Sequence, residues 1–178
     1  MNLKELTKPL DVSEIDFRLQ SINKGGYATI LAYKDARADM NRLDESVGAL
    51  NWKREHSRDN RNCVVSIWDS DKKQWISKED TGTESFTEKE KGLASDSFKR
   101  ACFNWGIGRE LYDMPLIIIK LNNNEFKVIE NKVKPTYEFN LKKWKWTLTR
   151  YENGNIKVLG CRDSNGSVRF KYKPDGSN

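Results

Sequence analysis

Apolar and polar positions along the chain change their period several times, and each change marks an element. Ile15, Phe17 and Leu19 alternate with Asp16, Arg18 and Gln20, the period-two pattern of a half-buried strand. Asn23-Lys24-Gly25-Gly26 is a turn, and Tyr27 to Tyr33 returns as a second strand. Ala36, Met40, Leu43 and Val47 then recur at helical spacing before Gly48, which predicts a helix from Lys34 to about Val47. Trp52 to His56, Cys63 to Trp68 and Gln74 to Lys78 read as an antiparallel meander with polar turns between them. Before the first strand, Met1 to Val12 is poorly patterned, with Pro9 breaking any helical turn.

The strongest periodic signal is the stretch Thr87 to Gly108. Thr87 and Glu90 have the spacing of a reciprocal capping box, and Gly106 supplies a left-handed stop. At 100° per residue Ala94, Phe98, Ala101, Cys102 and Trp105 form one apolar stripe. Lys89, Asp96, Lys99, Arg100 and Phe103 fall on the other side. Adjacent cations beside an aromatic suit a nucleic-acid groove, where cations meet phosphates and a ring meets a base. A solvated helix face has the same composition.

Beyond the helix, Leu116 to Leu121 and Phe126 to Ile129 read as strands around Asn122-Asn123-Asn124, followed by strands over Tyr137 to Tyr151, Ile156 to Cys161 and Ser167 to Tyr172. Lys142-Lys143-Trp144-Lys145-Trp146 alternates cations with indoles. That alternation fits base stacking and a strand with one packed face equally well. The pattern predicts an α+β fold: an antiparallel sheet packed on a long central helix, with additional C-terminal strands. Residues 1–121 are expected to form the core domain and 122–178 a basic, β-rich extension of it.

Composition narrows the chemistry. The chain has 178 residues, enough for one domain with a real core, and 33% charged residues of mixed sign. Its net charge of +6 is unevenly placed: residues 1–119 sum to −1 and residues 120–178 to +7. Such asymmetry points to a polyanionic partner. No apolar run has the length of a membrane helix and the first ten residues lack a signal-peptide core, so the cytoplasm is the expected compartment. Cys63, Cys102 and Cys161 are few and far apart, as reduced thiols are. With one histidine, His56, there is no zinc signature and no Ser-His or Cys-His pairing to support nucleophilic catalysis. A phosphate-binding GxxxxGK[ST] loop is missing, and Gly106-Ile107-Gly108 follows a helix, not a strand. Asp69, Asp71, Asp80 and Glu84 lie at strand ends where a metal for phosphodiester cleavage is conceivable, although Asp is the ordinary choice for a turn.

Particular residues carry a resemblance. Ala32-Tyr33-Lys34-Asp35-Ala36-Arg37, then Leu43-Asp44-Glu45 with Gly48 and Trp52, and above all Ala94-Ser95-Asp96-Ser97-Phe98-Lys99-Arg100-Ala101 with Trp105-Gly106-Ile107-Gly108, resemble the Rad-fifty-two superfamily of single-strand annealing proteins, in its bacterial and phage branch. The resemblance covers about Ile15 to Asp113. It implies a β-β-β-α core that assembles into rings or open arcs, with single-stranded DNA in a positive groove. The family's Lys-Arg pair maps onto Lys99 and Arg100. Ala38 stands where eukaryotic members have a groove arginine, with Arg37 adjacent, and Ala49 stands where the family has a tyrosine.

On this basis the expected activity is ATP-independent annealing of complementary DNA strands in recombination and repair, by a non-enzymatic homo-oligomer in the cytoplasm of a bacterial host, without cofactor or metal. Single-stranded DNA is the expected partner, with a single-strand-binding protein as a further candidate and no membrane. The candidate DNA contacts are Lys99, Arg100, Arg37, Lys91, Lys53, Arg54, Arg58 and Arg61. Two rival readings remain open: a small metal-dependent nuclease, and a non-annealing module that binds through the basic C-terminal region.

Overall fold

The computed structural model describes residues 3–83 and 89–174, with side chains described from residue 4 in the first stretch and from residue 92 in the second. The fold is mixed α+β with antiparallel sheets. The chain divides into two compact units: Met1–Leu10 with Lys34–Tyr112, and Asp11–Tyr33 with Asp113–Asn178. The partition expected at residue 121 falls inside the second unit.

The first unit holds α1 (Leu3–Leu6), α2 (Ala36–Val47), a meander of β3 (Trp52–Ser57), β4 (Asn62–Asp69) and β5 (Gln74–Thr81), and α3 (Lys89–Asn104). α2 starts two residues later than the expected Lys34, because Asp35 caps it: its carboxylate accepts the Arg37 amide at 2.8 Å. Gly48, at φ 87°, ends it. The meander pairs Trp52 with Ile67 and Ile67 with Ile76. That register sends Cys63, Val65 and Ile67 to the face that carries α3, where Phe98, Ala101, Cys102 and Trp105 meet them in one core. Four of the five stripe positions are therefore buried as the helical period requires. The close approach extends to backbone: a methyl on Gly82 would lie 2.6 Å from the Ser97 amide nitrogen.

The helix expected from Thr87 is observed from Lys89, and the Thr87–Glu90 capping box lies outside the described residues. At its other end the last carbonyls are taken by cations. Lys78 donates to the Asn104 carbonyl at 2.7 Å and Arg109 to that of Phe103 at 2.9 Å, which also suits the negative end of the helix dipole. α3 belongs to the first unit alone, so a long central helix around which the whole chain is built is not what forms.

The second unit holds β1 (Ile15–Ile22), β2 (Tyr27–Lys34), β6 (Ile117–Lys120), β7 (Phe126–Ile129), β8 (Lys132–Pro135), β9 (Lys145–Arg150), β10 (Ile156–Arg162) and β11 (Val168–Tyr172), with β2 running into the first unit at Lys34. Their sheets are β1-β2-β6, β11-β10-β9 and the β7-β8 hairpin. Ala28 and Ile30 of β2, Ile117 and Ile119 of β6, and Leu159 and Cys161 of β10 share one core, so sheet covers sheet and no helix is needed. Glu130 and Asn131, both at positive φ, form the tight β7-β8 turn; a Glu-Asn pair is a weaker turn signal than Asn-Gly, which leaves β8 unmarked in the local sequence pattern.

The single strand expected over Tyr137 to Tyr151 is a correction. Asn140 accepts the Lys142 amide at 3.1 Å and starts a 3-10 turn over Leu141–Lys143, so β9 begins only at Lys145. Trp144 is buried edge-on to Phe139, with ring centroids 5.5 Å apart, and Trp146 stacks on Phe17 at 3.6 Å. Both indoles are packing residues, which decides between the two readings of that run. Arg169 is buried across the unit. It donates twice to Glu125, at 2.7 and 2.9 Å, reaches Asp163 at 3.3 Å, and lies over the Trp144 ring. Among the described residues no helix is long and apolar enough to cross a membrane.

Candidate nucleic-acid interface

Lys99 and Arg100 lie on α3 away from its packed stripe, and both are half-buried. They have different surroundings. Arg100 donates from Nε to Oδ2 of Asp96 at 2.9 Å, one helical turn back. The same oxygen accepts the Thr83 amide at 2.8 Å, tying the loop before the helix to its outer face. Those hydrogen bonds hold the Asp96 carboxyl below its usual range against the opposing effect of burial. Lys99 has no ion pair among the described residues, and its charge acts on Asp35 and Asp39.

Arg37 is at the start of α2, next to Asp35, on which the Lys99 charge acts. It is 80% exposed and bonds Asp35 from Nε at 3.1 Å, which with the Arg37 amide holds the Asp35 carboxyl low. Ala38, the position that the resemblance sets against a groove arginine, is buried, whereas Arg37 beside it is exposed. Lys91 is in the first turns of α3, and its side chain lies outside the described residues.

The four basic residues of the first meander turn do not form one cluster. Strand alternation separates the first two. Arg54 faces α3, its guanidinium 4.7 Å from the centre of the Phe98 ring, whereas Lys53 lies on the opposite face, bonded to Glu55 at 2.8 Å and 5.2 Å from the Trp75 ring centre. Arg58 and Arg61 are exposed in the turn itself, where Arg58, Asp59 and Asn60 all take positive φ. Buried Ser97 donates its hydroxyl to the Asn60 carbonyl at 2.9 Å, docking this turn on α3. His56 Nδ1 lies 3.4 Å from the same hydroxyl. Burial, then the Arg54 charge, push the His56 pKa down.

A buried ion pair lies behind Phe103. Lys34 donates to Asp39 and, at 2.8 Å, to the Ile107 carbonyl, with its ammonium 4.1 Å from the centre of the Phe103 ring. Both charged side chains are at most 1% exposed. Desolvation raises Asp39 to about 6, more than the Lys34 charge and hydrogen bond lower it. Phe103 thus covers a buried cation and meets Tyr112 at 5.0 Å. The one signal in the sequence was parity: Ala28, Ile30 and Lys34 share one side of β2. Burial pushes the neighbouring Cys102 thiol well up, and all three cysteines are free and buried, an environment that suppresses thiolate chemistry.

The strand-end carboxylates do not converge. Asp69 accepts the Asp71 and Lys72 amides, at 3.0 and 3.1 Å, as a turn residue. Asp80 accepts from Asn104 at 3.2 Å. Asp69 pairs with Gln74 at one end of β5 and Asp80 is near the other, six residues or roughly 20 Å along the strand. Glu84 lies outside the described residues, and among those described no group of three His, Cys, Asp or Glu side chains is placed to hold a metal ion. No family model matches the chain, and no curated protein and no solved structure matches it.

Proposed function

We propose that the protein binds single-stranded DNA and anneals complementary strands without nucleotide hydrolysis, as an oligomer built from a β-β-β-α core. The observation that carries this reading is the order β3, β4, β5, α3 with Lys99 and Arg100 on the side of α3 away from the sheet, together with the residue resemblance of that helix. Arg37, bonded to the Asp35 carboxylate on which the Lys99 charge acts, is a third candidate phosphate contact.

The mechanism needs positioning and no bond chemistry. Pairing is downhill by about 1.4 kcal/mol per stacked step, so a protein accelerates it by extending each strand and suppressing its internal structure. Lys99, Arg37 and Arg100 would neutralise phosphates, a contact that carries no sequence information. Of the three, Arg100 already shares its charge with Asp96 and Arg37 with Asp35, which makes Lys99 the cation most available to a phosphate.

The test is annealing of two complementary fluorescent oligonucleotides without ATP, with the native chain and a Lys99→Ala, Arg100→Ala double variant. Acceleration by the native chain that the variant loses supports the reading; equal acceleration by both removes these residues from the site. If neither accelerates pairing, annealing is not the function.

A further inference from the structure

Most of the basic excess lies outside the annealing site, and the C-terminal sheet gives part of it a definite surface. In the β11-β10-β9 sheet, Trp146 pairs with Cys161 and Cys161 with Phe170, while Leu148 pairs with Leu159 and Leu159 with Tyr172. These rows pack into the core of the second unit. Strand alternation sends the rows between them to the other face. One such row is Lys145 and Arg162, beyond which the register with β11 shifts at Arg169; the next is Thr147, Gly160 and Lys171. Lys145, Arg162, Lys171 and Thr147 are all exposed.

These rows contain three cations and no acid. The nearest acidic residue in sequence, Asp163, is turned away: its carboxylate accepts Arg169 and the amides of Asn165 and Ser167, both at 3.0 Å. Arg162 is braced by donating to the Gly166 carbonyl at 2.7 Å. Gly160 leaves the middle of the face bare, and a methyl there would stand 3.2 Å from the Phe170 carbonyl. With strands about 4.8 Å apart and two residues spanning about 6.7 Å, Arg162 lies about 5 Å from Lys145 and about 8 Å from Lys171 at the backbone. Long side chains at such intervals can meet several phosphates of one strand.

We propose that the outer face of the β9-β10-β11 sheet is a second nucleic-acid surface, on which Lys145, Arg162 and Lys171 hold the phosphate backbone of single-stranded DNA. An acid-free basic face is complementary to a polyanion. The choice of single-stranded DNA among polyanions rests on the function proposed above, whereas the face itself is defined without reference to α3. The small residues between the cations, Thr147 and Gly160, favour a backbone contact that ignores sequence.

The experiment is a salt titration of oligo-dT binding by fluorescence anisotropy, using the full chain and two triple variants whose fold is checked by circular dichroism. One is Lys145→Ala, Arg162→Ala, Lys171→Ala. The other, Lys127→Ala, Lys132→Ala, Lys134→Ala, removes equal charge from the same unit off this face. Loss of three phosphate contacts lowers the log-log salt slope by about 2, so raising salt from 50 to 200 mM weakens the face variant roughly 20-fold less than the native chain. The control variant keeps the native slope. An unchanged slope in the face variant, an equal drop in the control, or competition by poly-glutamate as strong per charge as by oligo-dT overturns the proposal. Failure of the annealing assay alongside the expected slope change removes the proposed function and leaves the surface standing.

Discussion

Arg100 donates from Nε to Oδ2 of Asp96 across 2.9 Å on the outer face of α3, so the arginine that the resemblance assigns to a phosphate already has an anion beside it. Any DNA phosphate at this point must compete with the Asp96 carboxylate. Asp96→Asn is therefore expected to strengthen oligo-dT binding and to steepen its salt dependence. The lost i,i+4 pair costs only about 0.5 kcal/mol of stability, read from a denaturant midpoint. Weaker binding by Asp96→Asn would mean that the pair presents the guanidinium and does not compete for it.

Lys99, with no ion pair among the described residues, is the most available cation of the edge, whereas Arg37 shares its charge with Asp35 as Arg100 does with Asp96. Lys99→Ala alone is expected to lower the log-log salt slope of single-strand binding by about 0.7, the value for one phosphate contact. Adding Arg37→Ala is expected to lower it again by a similar amount. The titration described for oligo-dT measures both, and a slope unchanged by either substitution separates these cations from the strand.

The Lys34–Asp39 pair makes a pH prediction. The folded-state pKa of Asp39 is raised from 3.8 to about 6, so between those values the folded chain holds a proton that the unfolded chain releases. This group's contribution to stability is full below about pH 4 and falls as pH rises to about 6. Asp35 and Asp96 are shifted down, and their contribution is lost only as pH falls below about 4. His56, also shifted down, gains stability with rising pH toward 6.5, opposite in sign to Asp39. The difference between the native chain and Asp39→Asn isolates the Asp39 contribution: urea midpoints at pH 4 to 6.5 are expected to rise more steeply with pH in the variant. Parallel midpoint curves would place the Asp39 titration outside this window.

The same pair makes a packing prediction. Asp39→Leu alone leaves the Lys34 ammonium buried without its carboxylate and is expected to cost about 3–5 kcal/mol. Lys34→Met with Asp39→Leu removes both charges and is expected to recover most of that loss. A urea-denaturation double-mutant cycle decides it; a double variant less stable than Asp39→Leu would show that the Lys34 bond to the Ile107 carbonyl matters more than the ion pair.

Gly82 tests how α3 is seated. With an added methyl 2.6 Å from the Ser97 amide nitrogen and 2.9 Å from the Leu93 carbonyl, Gly82→Ala has to push backbone from backbone. A loss of about 1–3 kcal/mol is expected, measured by thermal or urea unfolding. No loss would mean that the loop before the helix moves aside at little cost.

Much of the secondary structure is legible because the periods of strand and helix are properties of the local chain. Cys63, Val65 and Ile67 had to share a face, and so did Phe98, Ala101, Cys102 and Trp105, whatever they packed against. The expected grouping of Lys53 and Arg54 with Arg58 and Arg61 fails, because strand alternation sends Lys53 and Arg54 to opposite faces. Local chemistry failed where a polar side chain redirected the backbone, as Asn140 does before β9. The joining of residues 11–33 to the C-terminal third, the use of Trp144 and Trp146 as core, and the burial of Arg169 between Glu125 and Asp163 were beyond such reading. Apolar burial is non-directional and favours any arrangement that removes enough surface from water, so which sheet covers which is decided by the sum over distant strands. A buried charge is tolerated only where that sum also brings its partner. The faces of each element are therefore written in the order of residues, and the company those faces keep is a property of the whole chain.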